Sequence, residues 1–193
     1  MTACVLIVDG HPDPRRERLC HEIAAVYARG ARAANAEVRL LTLADHKVSF
    51  LGSGDEFGVA PTDPFVLGAR DDVEWASHLV LVFPLWLGSA PAQLKAFFEQ
   101  VSRGEFVAKV SKTGWRPRFR GRSARIIVTM GMPAFIFRTI FGGHGVSAWR
   151  KSILGFAGFR PVRETLFGAI GAVSPQEIAR RLAHVERLGR NLL

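Results

Sequence analysis

Two cysteines in 193 residues leave this chain without a disulfide framework. Cys4 falls in a stretch that reads as a buried strand and Cys20 in one that reads as a helix, so both are expected to be reduced apolar filler. No histidine or carboxylate group falls at metal-ligand spacing, and no metal site is expected. No apolar run approaches the roughly 20 residues of a membrane helix, and the amino terminus lacks a signal-peptide pattern. A soluble, cytoplasmic chain is expected. There is no G-x-G-x-x-G after the first apolar run, no G-x-S-x-G and no nucleophilic-cysteine arrangement. Acidic residues are the minority charge: 17 against 26 lysines and arginines, for a net charge of +9. That excess suits phosphate neutralisation, but it is scattered over predicted helix faces without a helix-turn-helix, zinc or RNA-binding motif. No nucleic-acid partner is expected. One basic cluster stands out, Arg116-Pro-Arg-Phe-Arg-Gly-Arg122. It reads as a solvated loop, a phosphate clamp for a dinucleotide or a surface for an acidic partner.

What is present is an alternation. Ala3 to Asp9 reads as a buried strand, Glu17 to Ala34 as an amphipathic helix, and Glu37 to Leu43 as a second strand. Residues 44–68 are rich in glycine and proline and read as loop, with a short helix over Ala69 to Ala76. Leu79 to Phe83 is a continuous apolar run of the kind buried on both faces of a parallel sheet, and Pro84 stops it. Ala90 to Val101 reads as helix, and Arg103 to Gly121 as a long basic connection. Ser123 to Thr129 is a fourth strand, Ser147 to Phe156 a helix, Arg160 to Phe167 a fifth strand, and Pro175 to Leu192 a closing helix capped by Ser174. Strands alternating with helices, without internal repeat, imply one α/β domain over 1–193. Its expected form is a three-layer sandwich: a five-stranded parallel sheet, order 2-1-3-4-5, with helices on both faces. Ligands of such sheets bind at the carboxyl ends of strands one, three and four.

Three segments should therefore meet. The first, Gly10 to Arg18, joins a strand to a helix amino terminus, where free amides and the helix dipole favour an anion, with Arg16 and Arg18 as phosphate partners. Glu17 is unwelcome beside a phosphate and is expected to point away. The second, Pro84-Leu85-Trp86-Leu87-Gly88-Ser89, offers an aromatic surface and backbone hydrogen bonds for a flat ligand. The third runs from Thr129-Met130-Gly131-Met132 through Arg138 to Gly143-His144-Gly145, where glycine and methionine permit close approach of a planar ring. His144, between glycines in an expected loop, is placed to move a proton near neutral pH.

On these residues the chain resembles the NAD(P)H:quinone oxidoreductase family of flavodoxin-like flavoproteins. That family includes diaphorase-type quinone reductases and the ancillary oxidoreductases of bacterial potassium-efflux systems. The resemblance is carried by Leu6 to Pro12, Phe83-Pro84-Leu85-Trp86, Pro91-Ala92, Leu94-Lys95, Gly104-Glu105-Phe106, Val128 to Gly131, Gly143-His144-Gly145 and Gly155 to Phe159. It implies an enzyme that passes a hydride from NAD(P)H through bound FMN or FAD to a quinone or similar electrophile, with ping-pong kinetics. It also places His11, Arg16, Glu17 and Arg18 at the flavin phosphate and ribityl chain, Pro84 to Leu87 along the isoalloxazine, and Thr129 to Met132 on its other side. His144 takes the place of the histidine that supports charge on the reduced flavin, and the family pattern implies a homodimer. Arg138 stands where diaphorase-type members carry a tyrosine, and Arg16-Glu17-Arg18 stands where a serine, an apolar residue and an asparagine are usual. The short 44–70 stretch favours FMN over FAD. The other role the resemblance allows is a flavin- or nucleotide-sensing subunit of a membrane efflux protein, with incidental turnover.

Overall fold

The computed structural model describes residues 2–192, so the two ends of the expected 1–193 domain lie outside the described residues. Five apolar segments pair as parallel strands: β1 (Cys4–Asp9), β2 (Glu37–Thr42), β3 (His78–Pro84), β6 (Ser123–Thr129) and β7 (Val162–Phe167). Their order is β2-β1-β3-β6-β7. That is the expected 2-1-3-4-5, because β4 (Ala108–Ser111) and β5 (Gly114–Pro117) form a separate antiparallel hairpin. The two central strands explain the hydrophobic pattern: β3 is buried at every position and β1 at all but its first.

Helices cover both faces. On one lie α1 (Leu19–Ala33) and α7 (Pro175–Asn191), over Val5, Ile7, Val80, Val82 and Ile127. On the other lie α3 (Pro64–Trp75) and α4 (Ala92–Ser102), with the short α5 (Ala134–Thr139) and α6 (His144–Ala148) and a π-helical stretch, Trp149–Gly155. These elements enclose Leu6, Leu81, Phe83, Phe97 and Ile126. A five-residue α2 (Gly54–Gly58) completes the set.

Two expectations need correction. Residues 44–68 are not all loop, since α3 begins at Pro64 with Asp63 as its N-cap, accepting from the amides of Phe65 and Val66. The 103–121 connection is not a plain basic loop, because it carries the hairpin. Nor does its arginine cluster reach the carboxyl ends of the strands. Arg118 pairs with Glu74 at 2.7 Å, and Arg122 donates to the carbonyls of Val73, Glu74 and Ala76, closing the end of α3. Arg122 immediately precedes β6, so the cluster lies at the amino-terminal edge, a strand length of about 20 Å from the opposite edge.

A polar network sits in the α1 face. Buried His78 faces Ser123 Oγ at 2.7 Å through Nδ1 and the Tyr27 hydroxyl at 2.9 Å through Nε2. Burial, then the positive charges of Arg125 and Arg163, lowers its pKa to about 4. The unfolded chain takes up this proton below about pH 6.5 while the folded one resists to about 4, so stability falls as pH drops through that window. Between pH 7 and pH 5 this one group is expected to remove about 2 kcal/mol. Urea denaturation of the native chain and of His78→Gln at both pH values checks it: the variant should lose that much less on acidification.

Candidate functional site

The loop after β1 is a chain of local hydrogen bonds built around two acids, buried Asp9 and partly buried Asp13. Asp9, the last residue of β1, accepts the His11 amide on Oδ1 at 3.2 Å and meets Nδ1 of His21, on α1, through Oδ2. Nε2 of His21 lies 2.8 Å from the Asp13 carbonyl. The Asp13 amide in turn donates to Nδ1 of His11 at 3.0 Å. The Asp13 carboxylate holds Arg15 at 2.5 Å and Arg18 at 2.6 Å, and hydrogen bonds from Arg15 keep its pKa below the usual carboxylate range. Asp9, Asp13 and His21 do not stand out in the sequence. An acid ending an otherwise apolar strand and a histidine on the buried side of the following helix are the signals that could have found two of them.

The expected phosphate ligands are thus partly engaged. Arg16 pairs with Asp45 at 2.7 Å, beyond β2, and Arg18 with Asp13. The first pair is exposed and the second partly so, and solvent-screened pairs of this kind are weak enough for an arriving anion to displace them. Arg18 gives α1 no side-chain cap, which leaves the first amides of the helix to other acceptors. Glu17 is exposed and lines, with Asp9, Arg16, His21, Glu22 and Thr42, an open cleft of about 460 Å³ on the β2 side.

The second segment is a tight turn. Trp86 and Ser89 exchange backbone hydrogen bonds of 2.8 and 3.0 Å, with Leu87 (φ 47°) and Gly88 (φ 80°) both left-handed, as a type I′ turn demands. A leucine there costs about 1–2 kcal/mol. Its side chain is wholly exposed, Trp86 is half-exposed, Leu85 is partly buried and Pro84 is buried. The strain presents an apolar side chain to whatever lies above the turn.

The third segment begins with buried Thr129 and Met130, whose backbones are fixed by Leu85 and Phe167, and continues with exposed Gly131 and half-buried Met132. His144 is exposed, but it is not in the expected loop: it is the first residue of α6, after a left-handed Gly143. Arg138 is exposed and approaches Glu164 of β7 at 3.8 Å, a carboxylate it shares with Arg150.

The three segments do converge. His11 meets the edge of Trp86 with ring centroids 6.0 Å apart. The Leu85 amide donates to Thr129 O at 2.8 Å, and Cys20 Sγ lies 3.3 Å from Thr129 Oγ1. Burial pushes the Cys20 thiol up to about 12, so it remains a thiol. A Cβ on Gly145 would fall 1.9 Å from the Gly88 carbonyl, which places α6 directly on the turn.

A model of the flavodoxin-like fold family matches residues 3–190 of this sequence. The chain belongs to the flavodoxin-like fold family. Among curated relatives it is similar to an FMN-dependent NADH:quinone oxidoreductase of Erythrobacter litoralis, 28% identical over 120 residues, 61% of this chain and 59% of that one. A second, of the same description, is from Shewanella loihica: 29% identical over 130 residues, 65% and 62% of the two chains. The chain therefore spans about three fifths of the length of these relatives. Among solved structures, Smu.1420 from Streptococcus mutans superposes with a TM-score of 0.81 at 27% identity, over 97% of this chain and 98% of that one. The flavodoxin-like fold thus has independent support.

Proposed function

We propose that this chain holds FMN on the carboxyl edge of its sheet and catalyses oxidation of NAD(P)H by a quinone or similar electrophile. The observation that carries the reading is the juxtaposition, within one edge, of an uncapped helix start bearing two displaceable arginines and an apolar platform of Trp86 and Leu87. A flat ring with a phosphate tail fits both at once. The names of the curated relatives, FMN-dependent NADH:quinone oxidoreductases, support the same cofactor and acceptor.

Bound FMN would supply reversible hydride acceptance, chemistry that no side chain offers. The chain's part is to bind and orient. Arg16, Arg18 and the α1 amides would take the phosphate, with His11 beside the ribityl chain and Glu17 facing away from it. Pro84 to Leu87 would lie along the ring and Thr129 to Met132 along its other side. His144 and Arg138 would face the reacting edge, the first moving a proton and the second offsetting negative charge. Donor and acceptor would use the same face in turn. With the arginine cluster at the far edge, the site offers Arg138 as its own candidate for the dinucleotide phosphates. Phe135, Ile140 and Phe141, between β6 and α6, are exposed apolar side chains as Trp86 and Leu87 are, and a second copy of the chain is the proposed cover.

The test is an absorbance titration with FMN, then anaerobic NADH or NADPH. Near-stoichiometric binding, bleaching by the nucleotide, and parallel double-reciprocal lines with a quinone are expected. A protein that takes up no flavin, or intersecting lines, would overturn the binding reading or the shared-pocket reading respectively.

A further inference from the structure

The hydrogen bonds of the first loop determine where its histidines carry their protons. Nδ1 of His11 is an acceptor, because the group facing it at 3.0 Å is the Asp13 amide, which can donate only. A neutral His11 must therefore carry its hydrogen on Nε2. No hydrogen-bond partner for that nitrogen occurs among the described residues. His21 is the opposite case. Its Nε2 faces a carbonyl oxygen and its Nδ1 a carboxylate, so both ring nitrogens of His21 are engaged within the loop. The two rings stand 5.4 Å apart, and His11 touches the edge of Trp86.

We infer that the buried Asp9–His21 pair is a positioning device that presents His11 as a neutral Nε2–H donor to an oxygen of the ligand seated over Trp86. The connection runs through one residue, Asp13, whose carbonyl and amide belong to the two peptide units on either side of its Cα. His21 holds the Asp13 carbonyl, Asp9 holds the His11 amide, and together they set the Asp13 amide against His11 Nδ1. Remove His21 and the Asp13 backbone loses the anchor on its carbonyl side, so its amide is no longer held against Nδ1 and the His11 ring is released to either tautomer. Burial and then the neighbouring His21 lower the His11 pKa from its usual value, which keeps the ring neutral at physiological pH. A neutral N–H donor reads an oxygen acceptor by direction rather than by charge. It therefore complements the arginines, whose donors carry a full positive charge.

This inference rests on the flavin reading for the identity of the ligand, but its central claim is testable on the protein without ligand. In protein carrying ¹⁵N-histidine, long-range ¹H–¹⁵N correlation at pH 7 is expected to show His11 protonated at Nε2 and bare at Nδ1. Asp9→Asn is the conservative variant: its amide oxygen still accepts from the His11 amide and its NH₂ still meets His21 Nδ1, so the His11 signals should persist. His21→Phe keeps the bulk and removes both hydrogen bonds, and the two His11 nitrogens should move toward averaged shifts. By flavin fluorescence, FMN affinity should fall about tenfold in His21→Phe and stay within about threefold in Asp9→Asn, the scale of one hydrogen bond. A native His11 protonated at Nδ1 or at both nitrogens, or unchanged His11 signals in His21→Phe, would overturn the inference. If the native protein binds no FMN, the flavin reading fails while the ring signals still decide the tautomer.

Discussion

Gly145→Ala should weaken FMN binding by about a hundredfold or more while the protein stays folded. A methyl group at this position would stand 1.9 Å from the Gly88 carbonyl and 3.0 Å from Ser89 Cα. Intrinsic propensity argues the other way, because alanine is better than glycine inside a helix by about 1 kcal/mol. The clash decides the sign: carbon atoms pack at about 3.5–4.0 Å, so α6 and the Trp86–Ser89 turn must separate by more than about 1 Å. That displacement acts on the turn that carries the ring platform and on the helix that begins with His144, and misplacement of about 1 Å commonly costs a hundredfold in a positioned site. The cost to stability should be smaller, about 1–3 kcal/mol, because neither element is part of the central sheet. Flavin titration beside urea denaturation separates the two effects. Native-like affinity in the variant would mean that the turn is not part of the binding surface.

The sheet is legible in the sequence because its strands are buried on both faces and bounded by turn residues. Ser123–Thr129 reads correctly to the residue, and alternation and handedness leave two doubly wound orders, between which the lack of a G-x-G-x-x-G after the first strand favours the one observed. The same rule of strand order locates the three converging segments without knowledge of a single contact. What sequence does not supply is tertiary demand. Gly143 and Gly145 read as loop residues, yet one is a left-handed helix entry and the other is small because a neighbouring carbonyl leaves no room. Asp63-Pro64 reads as part of a glycine- and proline-rich loop, although an acid followed by proline is also the sign of a helix start. The Asp9–His21 pair joins residues on different elements, and the clustered arginines become structural only with α3 and Glu74 in place beside them.

The largest loss of stability is expected from Gly30→Ala, about 3 kcal/mol, and it tests the other face of the sheet. Gly30 lies within α1 where α7 crosses it, and a Cβ there would fall 2.1 Å from the Glu186 carbonyl. Across the same crossing, a Cβ on Gly189 would fall 2.3 Å from the Tyr27 carbonyl. Each helix thus uses a glycine to let the other's backbone approach, and Val185 is fully buried beneath the contact. Alanine should again gain about 1 kcal/mol from helix propensity, and the overlap with a backbone atom should again exceed it. Unlike a side chain, the carbonyl cannot rotate away, so α7 must lift and part of the packing over Val5, Ile7 and Val80 is lost. Gly68→Ala is the matched control. Gly68 is an exposed position inside α3 where an added methyl would meet nothing within 4 Å, so there the propensity gain stands alone and stability should rise by about 0.5–1 kcal/mol. Urea denaturation of the two variants should move the midpoint in opposite directions. Movement in the same direction would mean that the α1–α7 contact is looser than its two glycines indicate.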